Sequence, residues 1–379
     1  MYRKITALVL GIVMCLSMLA GCTSASNQPA PPATAAAPSA ATGAPAAPSA
    51  APAASNAFET GPTYVFVAGQ ASSDTHPNGK GLHYMNEILQ ERSNGKMKME
   101  IHSNSALGGE RELTEAAMAG TIDIALSSCS PVTNFEPSFM IFDLPFLFET
   151  REDAHAALDS EWGRILLDRL ERSNIKGIAF WETSFINLWS APKILKHPDD
   201  IKGMTIRVIE SEMYFSIMTA LGANPVATAF AETYTALQTG VADGATIATS
   251  SGVMVNIQEV APNYTEIGLL YLPTPFMMNL DLWNSLPPEY QDLIMECAAE
   301  ACAKERQWMI EEEQTCHQKI LDDNGTVTIL TQEEKQPWID VIKEPVWSKA
   351  VGREWSKAVG RVVLQEDVDF LEEFLASRN

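Results

Sequence analysis

Two stretches of this chain alternate strand-like and helix-like runs in the same order. In the first, TYVFVAG (63–69) is β-rich, and HPNGKGLHYMNEILQERS (76–93) places Leu82, Met85, Ile88 and Leu89 on one helical face. MKMEIH (97–102) alternates apolar with polar residues. GGERELTEAAMAG (108–120) reads as a helix with acids in its first turn, and TIDIALSS (121–128) as the next strand. The second stretch gives strand MTIRV (204–208), helix SEMYFSIMTALG (211–222), strand NPVATAF (224–230), helix AETYTALQTG (231–240) and strand VADGATIA (241–248). A β-α-β-α-β order predicts parallel strands joined by right-handed crossovers. ELTEAAMAGTIDIA (112–125) and ETYTALQTGVADGA (232–245) each run from a helix to a glycine and on to an aspartate, the glycine suiting a helix C-cap. The expectation is an α/β chain of two similar lobes with a cleft between them. In such folds ligands gather beyond the carboxyl ends of the strands.

What precedes the lobes has another chemistry. Arg3 and Lys4 are followed by an uncharged apolar run from Ile5 to Ala20, which ends in Leu19-Ala20-Gly21-Cys22. The run is too short for a comfortable membrane span and reads as a signal peptide. Its small residues before a cysteine match a bacterial lipoprotein leader, with Cys22 as the lipidated N-terminus; an ordinary secretory signal with an incidental cysteine is the alternative. No charged residue occurs between Lys4 and Glu59, and alanine, proline and serine dominate residues 23–57. Such a segment has no apolar face to bury. It reads as a tether, on the order of 100 Å long if largely extended, with a glycosylated stalk as the competing reading. Either leader places the mature protein outside the cytoplasm.

Residues 58–379 suffice for a large core. The formal net charge is −22, and loss of Arg3 and Lys4 with the leader makes it more negative. That balance argues against nucleic-acid binding and against adhesion to an anionic lipid surface. It leaves room for an anionic ligand, because a single arginine can set the field inside a cleft. Of the six cysteines, Cys129, Cys297, Cys302 and Cys316 remain in the folded region. None forms a C-x-x-C pair or stands beside histidines at metal-ligand spacing. Cys297 and Cys302 fall on different faces of a predicted helix, and Cys302 reaches Cys316 only if a turn intervenes. Free buried thiols are expected, with no metal and no cofactor.

KGMTIRV (202–208) is an apolar strand interrupted by Arg207. A guanidinium in such a strand is costly unless an anion meets it, and its planar fork suits a carboxylate. Arg207 lies near the strand's end, which aims it at the mouth of the cleft. The surrounding residues Asp200, Ile201, Lys202, Gly203, Ile206, Arg207 and Val208, then Phe230, Glu232, Tyr234, Ala236, Leu237, Gln238, Gly240, Asp243 and Gly244, carry a family pattern. They resemble, in order and spacing, the solute-binding proteins of tripartite ATP-independent periplasmic (TRAP) transporters. SALGGERELTEAAMAGTIDIALSS, FEPSFMIFDLPFLFET (135–150) and NLDLWNSLPPEYQDLI (279–294) are similar to further segments of that family. The resemblance spans roughly residues 61–325.

It implies a periplasmic-binding-protein-like fold of two α/β lobes with crossing strands, a ligand cleft and a long helix spanning both lobes. The organisation is then 1–21 leader, 22–57 tether, 58–185 mainly the first lobe, 186–275 mainly the second, and 276–379 a lobe-crossing segment with the long helix and C-terminal helices. Arg207 takes the place of the arginine that pairs with a ligand carboxylate, and Phe230 that of an aromatic that shapes the cavity. Glu232 and Tyr234 read mainly as helix-start and packing residues. Where many members carry a second basic residue, this chain has Ile186; where others carry polar groups it has Ile247 and Ala125. The ligand expected is therefore a monocarboxylate with an apolar or aromatic body. Trp181, Trp189, Phe230, Ile186 and Ile247 are candidate walls, and core packing is the competing role for Phe230 and each tryptophan. Trp189 is read as lying just beyond a strand GIAFWE. Asn187 and Glu210 are candidate partners for a ligand hydroxyl or amine, and His76, before Pro77, a candidate at the cleft. The partners implied are an organic acid, the TRAP membrane subunits and, through Cys22, a lipid anchor.

A ligand-sensing receptor component and a secreted enzyme are the alternatives. The six histidines include no H-E-x-x-H, and no G-x-S-x-G elbow, phosphate loop or dinucleotide fingerprint appears, so an enzyme is not expected. WSKAVGR occurs at 347–353 and again at 355–361, which reads as a local duplication in a surface helix.

Overall fold

A computed structural model describes residues 57–352 and 363–378. The leader, Cys22, the tether up to residue 56 and the second WSKAVGR copy lie outside the described residues. The strands are β1 (Tyr64–Gln70), β2 (Met97–His102), β3 (Ile124–Leu126), β4 (Ile175–Ser190), β5 (Thr205–Val208), β6 (Asn224–Ala227), β7 (Gly244–Ala248), β8 (Asn263–Asn279) and β9 (Thr326–Ile329). They form one sheet in the order β2-β1-β3-β8-β4-β7-β5-β6, with β9 also on β8. The expected parallel units are present at its two ends: β1 pairs in parallel with β2 and β3, and β5 with β6 and β7. Between them β4 and β8 run antiparallel to each other and to their neighbours β7 and β3.

These two strands are long, at 16 and 17 residues. Both are buried along most of their length, as the middle of a covered sheet requires. The sequence reading stops the first of them at Glu182, where Glu-Thr-Ser breaks the apolar run; the strand instead continues, so that Trp189 lies within β4. The polar residues are tolerated because they are partnered. Glu182 takes His155 Nε2 at 2.8 Å, the Tyr271 hydroxyl and the Arg151 guanidinium. Thr183 shares a 2.7 Å hydroxyl contact with Thr274 of β8. Register shifts interrupt the β4–β8 pairing between Glu182 and Ser184 and between Ile186 and Leu188, and such bulges bend a sheet. Ser184 adopts φ +79° and Gly268 φ +64°, left-handed values placed at the bend.

The helix Pro288–Asp322 is 35 residues long and packs on the helix Pro77–Arg92, on β4 and on the helix Thr249–Met254, so it touches both ends of the sheet. Cys297, Cys302 and Cys316 all stand on it, with no turn between, and they and Cys129 are buried free thiols. One apolar core covers the middle of the sheet and the region of the helix Glu212–Ala220; a second lies under Pro77–Arg92 and the long helix; a third surrounds Trp189 and Tyr264. No helix among the described residues is long and apolar enough to cross a membrane.

Candidate functional site

Arg207 is the third residue of β5, where its backbone pairs with Val226 of β6 on one side and Ala245 of β7 on the other. Hydrogen bonding on both edges fixes the strand, and the side chain is only 2% exposed. The chain leaving β6 supplies its partner. Thr228 O accepts from Arg207 Nη2 at 2.7 Å and from Nε at 3.2 Å. Nη1 makes no hydrogen bond among the described residues, and Arg207 lines the cleft. Burial pushes the guanidinium down to about 10, with the Glu110, Tyr214, Glu210 and Glu232 side acting against that, so it stays cationic at neutral pH. A buried cation with a free fork arm is a preformed seat for an anion.

The cleft beside it holds about 510 Å³ of non-atom space, with the open solvent at its mouth included. Ile186, Ile209, Phe230, Ile247, Ala248 and Leu272 give it an apolar wall, while Ser72, Ser128, Thr183, Thr246 and Ser251 contribute small hydroxyls. Glu110 joins them. It begins the helix Glu110–Met118 and accepts from Ser128 N at 2.8 Å and Ser128 Oγ at 2.9 Å. Burial raises its carboxyl, opposed by those two hydrogen bonds and by Arg207. Glu110 is therefore able to accept from a ligand hydroxyl or amine, or when protonated to donate to a carboxylate. Arg207, Phe230, Ile209 and Glu110 also line an adjoining opening, at whose mouth Glu112, Glu210 and Glu232 outnumber the cationic Arg111.

The structure brings Arg207, Phe230, Ile186 and Ile247 together around the inner cavity and places Glu210 at the outer mouth. It does not bring the other candidates to that wall. Trp181 is fully buried against Phe276, with ring centroids 5.6 Å apart, and its ring comes close enough to Gly81 that a Cβ there would lie 2.7 Å from it. Trp189 is fully buried on Tyr264 at 4.8 Å and leaves no room for a side chain at Gly252. Asn187 faces the other way and accepts from the backbone N–H groups of Ile267 and Gly268 at 3.0 and 2.9 Å, clamping the bend in β8. His76 caps the helix Pro77–Arg92 through Nδ1, and its Nε2 lies 3.4 Å from Ser250 Oγ. Burial lowers its pKa to about 3, so it is neutral.

Sequence reasoning did not single out Glu110, Ser128, Thr183, Tyr214 or Thr246. Glu110 reads as a first-turn acid that favours the helix dipole, and nothing local separates it from Glu112. Alternation along β7 turns Thr246 and Ile247 to opposite faces, yet the cavity at the junction of β4, β5 and β7 takes residues from both, so no period-two pattern marks Thr246.

Two α/β ends spanned by a long helix, with an arginine held free in the cleft between them, define a solute-binding protein of the periplasmic type. The profile described as "Bacterial extracellular solute-binding protein, family 7" matches residues 68–353, and the chain belongs to that family, the solute-binding proteins of TRAP transporters. It is 31% identical over 291 residues to the C4-dicarboxylate-binding periplasmic protein DctP of Vibrio cholerae, covering 77% of this chain and 87% of that one. The sugar acid binding protein DctPAm of Advenella mimigardefordensis, solved with galactonate, superposes with a TM-score of 0.78 at 27% identity over 84% of this chain and 99% of that one. A TRAP periplasmic solute-binding protein of Desulfovibrio salexigens, solved with bound orotic acid, gives a TM-score of 0.76 at 26% identity over 83% and 99%.

Proposed function

We propose that this protein captures an organic monocarboxylate with an apolar or aromatic body and hands it to TRAP membrane subunits for uptake driven by an ion gradient. The observation that carries the reading is the free arm of the buried Arg207 beside an apolar wall. The guanidinium takes the carboxylate, and Phe230, Ile186 and Ile247 meet the rest of the ligand. Glu110 and the small hydroxyls select any polar substituent. Ile186 stands where a second cation would favour a second carboxylate, so a dicarboxylate gains less here. Ligand bridging both ends of the sheet favours a closed form, and the membrane subunits receive that form. Cys22 is read as the lipid anchor and residues 23–57 as the tether, which together hold the domain at the outer face of the cytoplasmic membrane.

A thermal-shift and calorimetric screen tests this with benzoate and orotate as apolar-bodied or flat monocarboxylates against succinate and galactonate. Benzoate and orotate are expected to raise the Tm more and to bind more tightly than the dicarboxylate succinate or the polyhydroxylated monocarboxylate galactonate. A clear preference for succinate or galactonate rejects the ligand class. Mass spectrometry of the membrane-bound protein tests for a diacylated Cys22.

A further inference from the structure

Asp143 lies at the end of the short helical segment Pro137–Asp143 and is fully buried. Its two carboxylate oxygens are used by two different parts of the chain. Ser130 Oγ donates to Oδ1 at 2.5 Å, and Ser211 Oγ donates to Oδ2 at 2.6 Å. Ser130 follows β3, two residues after the Ser128 that holds Glu110. Ser211 follows β5, four residues after Arg207, and caps the helix that carries Tyr214. These two segments come from the two parallel units at opposite ends of the sheet, and each delivers residues to the cavity wall. A second contact joins the same pair of segments: Asn134 Nδ2 donates to Pro131 O at 2.9 Å and to Glu210 O at 3.5 Å. No cation pairs with Asp143 among the described residues, so the two serines are what its two oxygens are given to. A buried carboxylate is costly, and one held by a hydroxyl from each side makes both contacts expensive to break separately.

We propose that Asp143 is a positioning residue for the ligand cleft: by holding Ser130 and Ser211 it sets the spacing between the segment after β3 and the segment after β5. Glu110 with Ser128 then faces Arg207 at a fixed separation. Asp143 touches no ligand. The proposal rests on the cleft being the ligand site, but its mechanics do not depend on which acid binds.

Spin labels at Lys98→Cys on β2 and Lys202→Cys before β5 report that spacing by double electron–electron resonance, in the full chain and without ligand. The wild-type background is expected to give one narrow distance distribution. Asp143→Leu and Ser130→Ala are each expected to broaden it and shift it outward, and Ser130→Ala added to Asp143→Leu is expected to add nothing. Asp143→Asn keeps an acceptor on one side and a donor on the other, and is expected to restore the narrow distribution. If Asp143→Leu does not fold, Ser130→Ala alone carries the measurement. A wild-type distribution in Ser130→Ala overturns the proposal, as does one in folded Asp143→Leu. Because no ligand is added, failure of the monocarboxylate reading in the binding screen leaves this result intact, and the reverse also holds.

Discussion

Arg306 on the long helix grips Asp159 with both terminal nitrogens, at 2.7 and 2.9 Å, while Nη2 also donates to Phe180 O of β4 at 2.8 Å. One side chain thereby ties three elements together over the middle of the sheet. Arg306 is mostly buried although Asp159 is largely exposed, so the carbonyl contact and the desolvation matter more than the ion pair. Arg306→Ala is expected to cost roughly 2–3 kcal/mol of stability, read from urea unfolding. Asp159→Ala is expected to cost about 1 kcal/mol or less, as exposed pairs do.

Arg207 makes the opposite case. Its hydrogen bonds to Thr228 are few and its burial is expensive, so removal changes stability little. Arg207→Ala is expected to weaken binding of any carboxylate that the thermal-shift screen finds by on the order of a hundred-fold or more, with the unfolding midpoint near wild type. Arg207→Lys keeps a charge but loses the fork, and an intermediate affinity is expected. Full ligand stabilisation in the alanine variant sinks the assignment of Arg207 to the carboxylate.

Ile186 can be tested by adding what it lacks. Ile186→Arg places a second guanidinium in the apolar wall of the cavity. The variant is expected to melt earlier than wild type because the new charge is buried unpaired. Succinate is then expected to recover much of the loss, while benzoate is not. Equal response of wild type and variant to succinate would show that this position does not set the charge of the ligand.

The pH dependence of folding has a defined sign at Asp143. Burial pushes its carboxyl up to about 7, with the Ser130 and Ser211 hydrogen bonds opposing. Cys129 and Tyr214 lie close enough to feel it, and burial with the neighbouring carboxylates Asp143 and Glu110 raises both, so they stay neutral. An unfolded aspartate titrates near 4 (about 3.9). Between those values the folded state holds the extra proton, so stability is fully present below the unfolded value and falls as pH rises through about 7. Asp143→Asn is expected to flatten this part of the curve in urea midpoints taken from about pH 4.5 to 8. A parallel curve for the variant removes Asp143 as the source.

The parallel units at the two ends of the sheet were legible because strand and helix periods alternate there without interruption. MKMEIH is β2 residue for residue, and the helix expected at 76–93 is Pro77–Arg92. The run of β4 past Glu182 was not legible, because its polar residues are satisfied by Arg151, His155 and Tyr271, all distant in sequence. Arg207 was legible as a charge out of place in a strand. Trp181 and Trp189 look like cavity walls in sequence, yet their rings fill the spaces left by Gly81 and Gly252, a pairing that only the packed chain reveals. Glu110 is marked locally only as a first-turn acid, as Glu112 is. Its role depends on Ser128 returning to it after a helix and a strand.

The unbroken course of β4 and β8 also bears on inheritance. The two ends of this sheet have no linker at which they separate, since the same two strands and the long helix serve both. A chimera that takes one end from a relative therefore needs crossovers inside β4, inside β8 and inside the helix Pro288–Asp322. No single recombination event exchanges one end cleanly.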